Sequence, residues 1–262
     1  SATARWRFRR MAAADATLDR RQVALLAQRA EVEFVGVRCG IMDQFAVALA
    51  ERGHALLLDC RTLDLSHVPI PSRLVLVVCD TGVRRTLEGS AYNERRRECE
   101  EVVERLRPVK PGIRALRDLN LQDMPLLEEL PDPLGRRARH VVTENRRVLL
   151  AAEALRRGDG EAVGRLLAAS HASLRDDYAV SVPALEAMIS AAAAAPGCVG
   201  ARLTGAGFGG AAVALVARPA VGAFVASAGA AYRATSGREG TFLICEAAGG
   251  AKVTTAFPDG TS

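Results

Sequence analysis

The chain has 262 residues, of which 49% are hydrophobic and 25% are charged. This length and apolar content predict one large globular domain or two smaller ones. A net charge of +5, with Arg interspersed among Asp and Glu, and an aromatic content of only 4% argue against nucleic acid as a partner, because few rings are present to stack on bases.

A membrane partner and a zinc site are also not expected. No apolar window approaches the ~18 residues that a spanning helix needs, and the N-terminal segment carries charges where a signal peptide would be apolar. We therefore expect no membrane partner and a cytoplasmic location. The six cysteines include no Cys-x-x-Cys pair, which predicts reduced thiols, and the four histidines lack the spacing of a zinc site.

The first predicted helix begins at Asp19, whose side chain can cap the first turn while Gln22 reaches back in a capping box. Gly36 is predicted to end it. Its apolar face is predicted to contain Val23, Leu26, Ala27, Ala30 and Phe34.

A second short helical pattern follows Gly40 and runs through Leu49, and Gly53 then turns the chain into a strand at residues 55–60. Residues 62–72, which include two prolines, predict a linker. An apolar run of strand length at 73–79 predicts the start of a second domain. The expected domains are therefore residues 1–72 and 73–262.

A charged helix follows and is expected to end before Pro108, with Tyr92, Cys99, Val103 and Leu106 on one face. Residues 108–135 contain five prolines and predict only short helical turns. Further helices are predicted at 141–155, at 162–167 and from Pro183, with Ser181 as a possible cap. The last predicted elements are strands at 201–203, 211–216 and 241–245 and a helix at 219–234. The predicted helices and strands follow one another without a regular strand-helix repeat, which indicates an α+β fold.

The most distinctive local feature is the glycine-rich segment Leu-Thr-Gly-Ala-Gly-Phe-Gly-Gly-Ala at 203–211. Glycines let a backbone pass close to a phosphate with its N–H groups pointing inward. A tight hairpin without a ligand is the alternative. The dinucleotide fingerprint does not fit because a strand rather than a helix follows, and the P-loop pattern fails because no Gly-Lys-Ser/Thr is present.

Two other segments carry candidate chemistry. Gly40-Ile-Met-Asp-Gln-Phe45 places the carboxylate of Asp43 at the start of a helix in an otherwise apolar stretch, and an ordinary helix-capping Asp is the alternative. Ser90-Ala-Tyr-Asn-Glu-Arg95 offers the phenol of Tyr92 beside a basic cluster, and a solvated helix face is the alternative.

Together, in this order and spacing, these segments resemble the galactokinases of the GHMP small-molecule kinase family. The resemblance covers residues 19–262 and implies an α+β, two-domain GHMP kinase fold whose C-terminal domain is a ferredoxin-like α/β sandwich. The matching segments are Gln28-Arg-Ala-Glu31, Phe34-Val-Gly36, Cys39-Gly-Ile-Met-Asp-Gln-Phe45, Leu57-Leu-Asp59, Tyr92-Asn-x-Arg95, Ser170-x-x-Ser-Leu-Arg-Asp-Asp-Tyr178 and Thr204-Gly-Ala-Gly-Phe-Gly-Gly210.

The resemblance implies ATP-dependent phosphorylation of D-galactose at its C1 hydroxyl, with ATP and Mg²⁺ as cofactors and a monomeric enzyme. Asp43 would be the catalytic residue that takes or orients the proton of this hydroxyl, Gly40 and Tyr92 would contact the sugar, and Glu31 would help to hold Mg²⁺. Such roles suit phosphoryl transfer, which depends mainly on positioning and charge stabilisation. A last group would support the phosphate-binding loop without being its main cradle: Gly205, Ala206, Gly207, Gly209 and Gly210.

Galactokinases carry two more motifs upstream of the position of residue 19. One is Arg-x-Asn-x-Ile-Gly-Glu-His-x-Asp, with most sugar contacts and a catalytic arginine, and the other is a glycine-serine loop that cradles the triphosphate at a helix N-terminus. This chain contains neither. We therefore expect a truncated N-terminal domain and little or no kinase activity from this chain by itself.

Residues 1–12 also depart from the family, which has a serine-rich loop leading into an alanine-rich helix. A shifted reading frame through suitable codons for Ala4 to Phe8 encodes Ala-Leu-Glu-Val, so a frameshift is our hypothesis, and resequencing the upstream DNA tests it. A basic arm for polyanions is the rival explanation of the Arg-rich run at 5–10. Two functional alternatives to a kinase stay open, a non-catalytic sugar- or nucleotide-sensing relative and an inactive gene remnant. The choice between galactose and N-acetylgalactosamine also stays open.

Overall fold

Two units are present in the computed structural model, which describes residues 18–36, 39–84 and 88–252. The first contains the described residues up to Ile70 and those from Glu246 onward, and the second is Pro71–Cys245. The frameshift hypothesis concerns residues outside the described ranges.

The return of the C-terminal segment to the first unit was not expected from the sequence, which assigned all residues after 72 to the second domain. Backbone hydrogen bonds explain the return, because this segment lies beside the residues that follow the second helix. The Gly53 N–H donates to the carbonyl oxygen of Ala247 (3.0 Å). The Gly250 N–H donates to that of Ala50 (2.7 Å), and the Ala251 N–H donates to that of Val47 (2.8 Å).

Helix α1 spans Arg20–Ala30 and continues as a π-helical segment, Glu31–Val35, that ends at Gly36 with φ 78°. The predicted capping box is confirmed, since the Gln22 backbone N–H donates to Asp19 Oδ1 (2.8 Å) and the Asp19 N–H donates to Gln22 Oε1 (2.9 Å). The left-handed backbone of Gly36 explains why a glycine ends this helix.

The predicted apolar face of α1 is correct for Ala27, which is buried, and for Val23 and Ala30, which are half-buried, but it is wrong for Leu26 and Phe34. The buried residues are Ala24 and Ala27, whereas Leu26 is 41% and Phe34 is 86% exposed. A π-helical turn contains more residues than an α-helical one, so the 3.6-residue period no longer places Phe34 on the same side as the first two turns.

Helix α2 (Met42–Leu49) and an antiparallel hairpin of β1 (His54–Leu58) and β2 (Leu65–Pro69) complete the first unit. The prediction of a linker at 62–72 is therefore wrong in part. Pro69 is the last residue of β2, a position where a proline removes no central ladder bond. The buried core of this unit consists of Ala24, Ile41, Phe45 and Ala48.

The second unit is built on a four-stranded antiparallel sheet, in which the order of strands is β4-β5-β3-β6. Helices separate the first strand from the second and the third from the fourth, which is the ferredoxin-like strand-helix-strand-strand-helix-strand pattern. This confirms the fold expected from the sequence. The strands are β3 (Leu74–Asp80), β4 (Cys198–Leu203), β5 (Ala211–Ala217) and β6 (Thr241–Cys245).

The described helices of the second unit form three packed clusters. Helices α7 and α8 cover one sheet face, α5 and α6 pack on the other through Leu74 and Leu215, and α3, α4 and α5 share a separate core. None of the helices in the described residues is long and apolar enough to cross a membrane. The helices are α3 (Glu88–Leu106), α4 (Met124–Glu128), α5 (Leu134–Arg156), α6 (Gly160–Asp176), α7 (Pro183–Ala194) and α8 (Val221–Ser236), with short 3-10 turns at Leu116–Asp118, Leu121–Asp123 and Arg218–Ala220.

The predicted cap of α7 at Ser181 is wrong. The N-cap is Val182, with no side-chain cap, and the Ser181 hydroxyl instead donates a hydrogen bond to the carboxylate of Glu186. Glu186 lies in the first turn of α7 and offers a charged acceptor, which makes a stronger bond than a neutral one.

Candidate active site

Asp43 is the second residue of α2, and its side chain is exposed. The N-cap of this helix is Ile41, which makes no side-chain cap hydrogen bond, so the helix-capping alternative for Asp43 is wrong. The carboxylate has neither a hydrogen bond nor an ion pair with any residue that the structure describes. A free carboxylate near a helix N-terminus is electrostatically favoured there and is available to a ligand.

The position of Asp43 follows from the burial pattern of α2. Ile41, Phe45 and Ala48 point into the core of the first unit, together with Gln44. Met42 is 62% exposed. The apolar positions of the helix therefore face the core, and Met42 and Asp43 are left on its exposed side.

Cys39 connects Glu31 to the segment that carries Gly40 and Asp43. The Cys39 thiol donates to Glu31 Oε2 (3.4 Å), and its sulfur accepts a long contact from Gln44 Nε2 (3.9 Å). Gln28 Nε2 donates to the carbonyl oxygen of Cys39 (3.2 Å). Burial, and then the nearby Glu31 carboxylate, raise the pKa of the Cys39 thiol, which keeps it protonated as a donor.

The sequence did not assign a role to Cys39, Gln28 or Gln44, although all three belong to the motifs that carry the family resemblance. Their contacts connect α1 and α2 to Cys39 in the segment between the two helices. Membership in the motif was the only available signal, because neither spacing nor composition predicts a thiol-carboxylate contact.

Tyr92 lies near the start of α3 in the second unit and is 46% exposed. The same helix is fixed by a buried ionic cluster one turn further on. Arg95 Nη1 and Arg137 Nε both donate to Glu98 Oε2, at 2.6 Å and 2.8 Å. Because Arg137 belongs to α5, this cluster holds the start of α3 against α5.

The Arg-Asp-Asp-Tyr segment at the C-terminal end of α6 supports the same helix, α3. Arg137 Nη1 donates to the carbonyl oxygen of Asp177 (2.5 Å), and the Tyr178 hydroxyl lies 3.8 Å from Cys99 Sγ on α3. The Tyr178 ring stacks on His140, with 4.5 Å between ring centroids. Burial raises the pKa of the Tyr178 hydroxyl, so it stays protonated.

The glycine-rich loop joins β4 to β5 as a hairpin connection. Gly205, Gly207, Gly209 and Gly210 all have positive φ, and so does Phe208 at 59°. A Cβ at Gly207 would lie 2.3 Å from the carbonyl oxygen of Val180, so this contact requires glycine. A non-glycine residue at positive φ is strained, which marks the loop as a special site.

Hydrogen bonds hold both sides of this loop. The Phe208 N–H donates to the Val180 carbonyl (2.7 Å), and the Gly210 N–H donates to the Val83 carbonyl (3.1 Å). Thr81 contributes two donors to the Gly210 carbonyl, from its backbone N–H at 3.0 Å and its hydroxyl at 2.5 Å. Two of the loop N–H groups are therefore already used within the protein.

In the first unit, hydrogen bonds connect Glu31 to Cys39, the residue before Gly40, and Cys39 to Gln44, the residue after Asp43. The other predicted site residues lie in the second unit. Tyr92 is on α3, and the loop between β4 and β5 contains Gly205, Ala206, Gly207, Gly209 and Gly210.

Comparison with known proteins gives this arrangement a family context. The model of the GHMP kinase C-terminal domain matches residues 151–234. The chain is 53% identical over 230 residues to the galactokinase of Chloroflexus aurantiacus, covering 87% of this chain and 59% of that protein. It is 45% identical over 232 residues to the galactokinase of Homo sapiens, covering 88% of this chain and 57% of that protein. It therefore spans less than two thirds of the length of these relatives.

Two solved structures are similar in fold. The crystal structure of Lactococcus lactis galactokinase complexed with galactose matches with a TM-score of 0.84 and 36% identity, over 90% of this chain and 61% of that one. The L. major mevalonate kinase complexed with R-mevalonate has a TM-score of 0.54 and 23% identity, over 88% of this chain and 58% of that one, which shows a shared fold only. The chain therefore has the fold of the GHMP kinases, matches the model of their C-terminal domain over residues 151–234 and is similar in sequence to galactokinases.

Proposed function

We propose that this sequence is part of a galactokinase, which transfers the γ-phosphoryl group of ATP to the C1 hydroxyl of D-galactose. The observation that carries the proposal is the exposed carboxylate of Asp43 at the start of α2, which has no partner among the described residues, in a chain that is 53% identical to a known galactokinase. The proposal includes a cytoplasmic, monomeric enzyme whose first unit belongs to the N-terminal domain of the kinase fold.

Asp43 accepts the proton of the sugar hydroxyl, or orients it, as the hydroxyl oxygen attacks phosphorus. Its lack of a described partner supports this role, since a carboxylate already engaged in an ion pair would be a poorer acceptor. Gly40, three residues earlier and also exposed, gives the sugar access to the backbone. For Tyr92, the proposed role is a hydrogen bond from its hydroxyl to a sugar hydroxyl.

Glu31 is the residue proposed to contact Mg²⁺, which would neutralise charge on the phosphates when bound. Among the described residues, no group of three or more His, Cys, Asp and Glu side chains could hold a metal by itself. Mg²⁺ in phosphoryl transfer instead uses one or two carboxylates together with phosphate oxygens. A single half-buried carboxylate, oriented by the Cys39 thiol, fits that requirement.

The loop from Gly205 to Gly210 is proposed to support the phosphate-binding loop. The N–H groups of Phe208 and Gly210 already donate to protein carbonyls, which argues against the loop as the main anion cradle. Its anchoring to Val180 and Val83 suits a rigid supporting element.

The experiment compares two chains for ADP release with ATP, Mg²⁺ and galactose. One is the 262-residue chain. The other, the extended chain, replaces residues 1–18 with the upstream region of the Chloroflexus aurantiacus relative, so that both missing galactokinase motifs are supplied and the Asp19 capping box is kept. We expect galactose-dependent turnover from the extended chain and little or none from the 262-residue chain.

Circular dichroism first establishes that both chains are folded. A folded extended chain that releases no ADP in response to galactose contradicts the proposal. If that chain binds galactose, measured by calorimetry, without turnover, the sensing alternative replaces it. Equal turnover by both chains would show that the missing motifs are dispensable. That result would contradict the expectation that these motifs provide most of the sugar contacts and cradle the triphosphate.

A further inference from the structure

The buried ionic cluster of the second unit contains no residue that is proposed to bind sugar, phosphate or Mg²⁺. Its side chains are well shielded, since Arg137 is 5%, Arg95 is 12% and Glu98 is 15% exposed. Two cations share one carboxylate, and Arg95 Nε is buried without a hydrogen-bond partner among the described residues. Incompletely paired buried charges lose more free energy on leaving water than their attraction restores. Stability by itself therefore does not account for this cluster.

Arg137 is the centre of the cluster because its guanidinium bridges two other elements. Its Nε donates to Glu98 Oε2 on α3 at 2.8 Å, and its Nη1 donates to the carbonyl oxygen of Asp177, at the C-terminal end of α6, at 2.5 Å. Arg137 itself belongs to α5. The rigid fork of an arginine holds two acceptors in fixed directions, which a lysine ammonium does not do. One side chain therefore sets the place of α3 relative to α5 and the end of α6.

Tyr92 lies next to this cluster. It precedes Arg95 by three residues on α3, and residues with that spacing are neighbours on a helix surface. Burial and then Cys99 raise the pKa of the Tyr178 hydroxyl, and Tyr92 raises this pKa further whereas Arg95 lowers it, so both side chains lie near that hydroxyl. The direction of the Tyr92 side chain therefore depends on where this part of α3 is held.

We propose that Arg137 is a positioning residue, which acts through Glu98 and α3 to direct the Tyr92 hydroxyl to the sugar. This assignment rests on the proposed function, in which Tyr92 is a sugar contact. Arg137 is buried and acts only through Tyr92 in this role. Its loss should therefore weaken galactose binding by no more than the loss of the Tyr92 hydrogen bond itself.

The kinetic test is a double-mutant cycle in the extended chain. Arg137→Met keeps an unbranched side chain and removes the fork, so it should raise the KM for galactose by about two- to tenfold, the value of one hydrogen bond, and leave kcat and the KM for ATP unchanged. In a chain that already carries Tyr92→Phe, the same change should raise the KM for galactose no further. A second rise of the same size in that chain would show that Arg137 does not act through Tyr92.

Arg147→Met is the matched control. Arg147 is also a shielded arginine of α5, 16% exposed, but it donates to Glu144 of its own helix at 2.7 Å. Its loss should lower the melting temperature and leave the KM for galactose unaltered, and an equal rise in KM would mean that lost stability rather than lost position is responsible. If Arg137→Met does not fold, Arg137→Lys replaces it, because lysine keeps the charge without the fork.

A second measurement needs no kinase activity. The 262-residue chain is labelled with fluorotyrosine, and the fluorine NMR signals of its three tyrosines are assigned from Tyr92→Phe and Tyr232→Phe. We expect Arg137→Met to move the Tyr92 signal toward its position in the unfolded chain and to leave the Tyr232 signal in place, whereas Arg147→Met should move neither. An unchanged Tyr92 signal in Arg137→Met would overturn the proposal. Absence of galactose-dependent turnover in the extended chain would instead contradict the proposed function.

Discussion

At the scale of single residues, Asp43 offers the sharpest test of the chemistry. In the extended chain, Asp43→Asn should lower kcat by about 100-fold or more, the usual contribution of a general base. Galactose affinity should stay within a few fold, because the amide keeps the size and the hydrogen-bonding capacity of the side chain. Single-turnover kinetics measure the first quantity, and calorimetry measures the second.

The matched control is Asp64→Asn, which removes an exposed carboxylate from the same unit at the start of the hairpin strand β2. Its kcat should equal that of the parent chain. If Asp43→Asn turns over as fast as the control, Asp43 has no part in proton transfer.

Tyr92→Phe should act on binding instead. The Tyr92 hydroxyl has no described partner, so its removal should leave stability unchanged and raise the KM for galactose by about two- to tenfold, the value of one hydrogen bond. Tyr232→Phe is the contrasting variant, because its hydroxyl donates to the buried Thr81 carbonyl at 2.8 Å. That change should lower the melting temperature and leave KM unaltered, and the reverse pattern would remove Tyr92 from the sugar site.

The identity of these residues could be predicted from local motifs, but their environments could not. Gly-Ile-Met-Asp-Gln marks Asp43 as a candidate, and the same residues taken by themselves also fit a helix-capping Asp. Only the structure shows that Ile41 is the N-cap and that Cys39 joins Glu31 to this segment. Both facts depend on contacts between the segment after α1 and the start of α2. The periodicity of the sequence does not predict these contacts.

At the scale of elements, the contact between α6 and β4 depends on two glycines. A Cβ at Gly164 would lie 1.9 Å from the Val199 carbonyl oxygen, and a Cβ at Gly200 would lie 2.7 Å from Gly164 Cα. The helix and the strand therefore meet backbone to backbone. Gly164→Ala should destabilise the second unit by about 1–3 kcal/mol, since the overlap outweighs the better helix propensity of alanine.

Gly222→Ala is the matched control, because Gly222 is also helical but a Cβ there would meet nothing within 4 Å. It should be neutral or stabilising by up to about 1 kcal/mol. Urea unfolding can be followed through the near-UV signal of the three tyrosines, all of which belong to the second unit. Equal stabilities for the two variants would mean that α6 can move away from β4 at little cost.

The elements predicted best were those with a complete local signal. The capping box at Asp19, the glycine at the end of the first helix and the strands around the glycine-rich loop all follow from neighbouring residues. Two of the predictions that failed did so for different physical reasons. Residues 65–69 form a strand because β1 is available to pair with them, and Phe34 is exposed because a π-helical turn changes the helix phase.

At the scale of the whole molecule, the α+β class and the ferredoxin-like second unit could be predicted, whereas the path of the chain between units could not. The segment after Cys245 returns to the first unit through three backbone hydrogen bonds. Every residue except proline has the same backbone donor and acceptor, so the side chains do not predict which backbone groups will form these hydrogen bonds.

The pH dependence of stability in the second unit should depend on His140. This residue is 6% exposed, its Nδ1 lies 3.0 Å from Ser173 Oγ, and the Ser173 hydroxyl donates to Asp177 Oδ2 at 2.8 Å. His140 Nδ1 therefore carries the proton and donates to Ser173. Burial lowers the pKa of His140 from 6.5 to about 4, because a second proton would place a charge in the core.

The sign of the effect follows from proton binding. Well above pH 6.5 the ring is neutral in both the folded and the unfolded chain, so His140 contributes no pH dependence there. Between pH 6.5 and about 4 the unfolded chain binds a proton that the folded chain excludes, and stability falls as the pH falls. One such proton corresponds to a slope of at most about 1.4 kcal/mol per pH unit.

His140→Phe keeps a ring to stack on Tyr178 but removes the titrating group, so its stability should fall less steeply with pH over that interval. Ser173→Ala is the control, since it removes the hydrogen bond to His140 and leaves the imidazole in place. It should be less stable at neutral pH and keep the slope of the parent chain. Urea unfolding at several pH values, read from the tyrosine signal, measures both slopes, and parallel curves for His140→Phe and the parent would show that His140 does not determine the acid sensitivity of this unit.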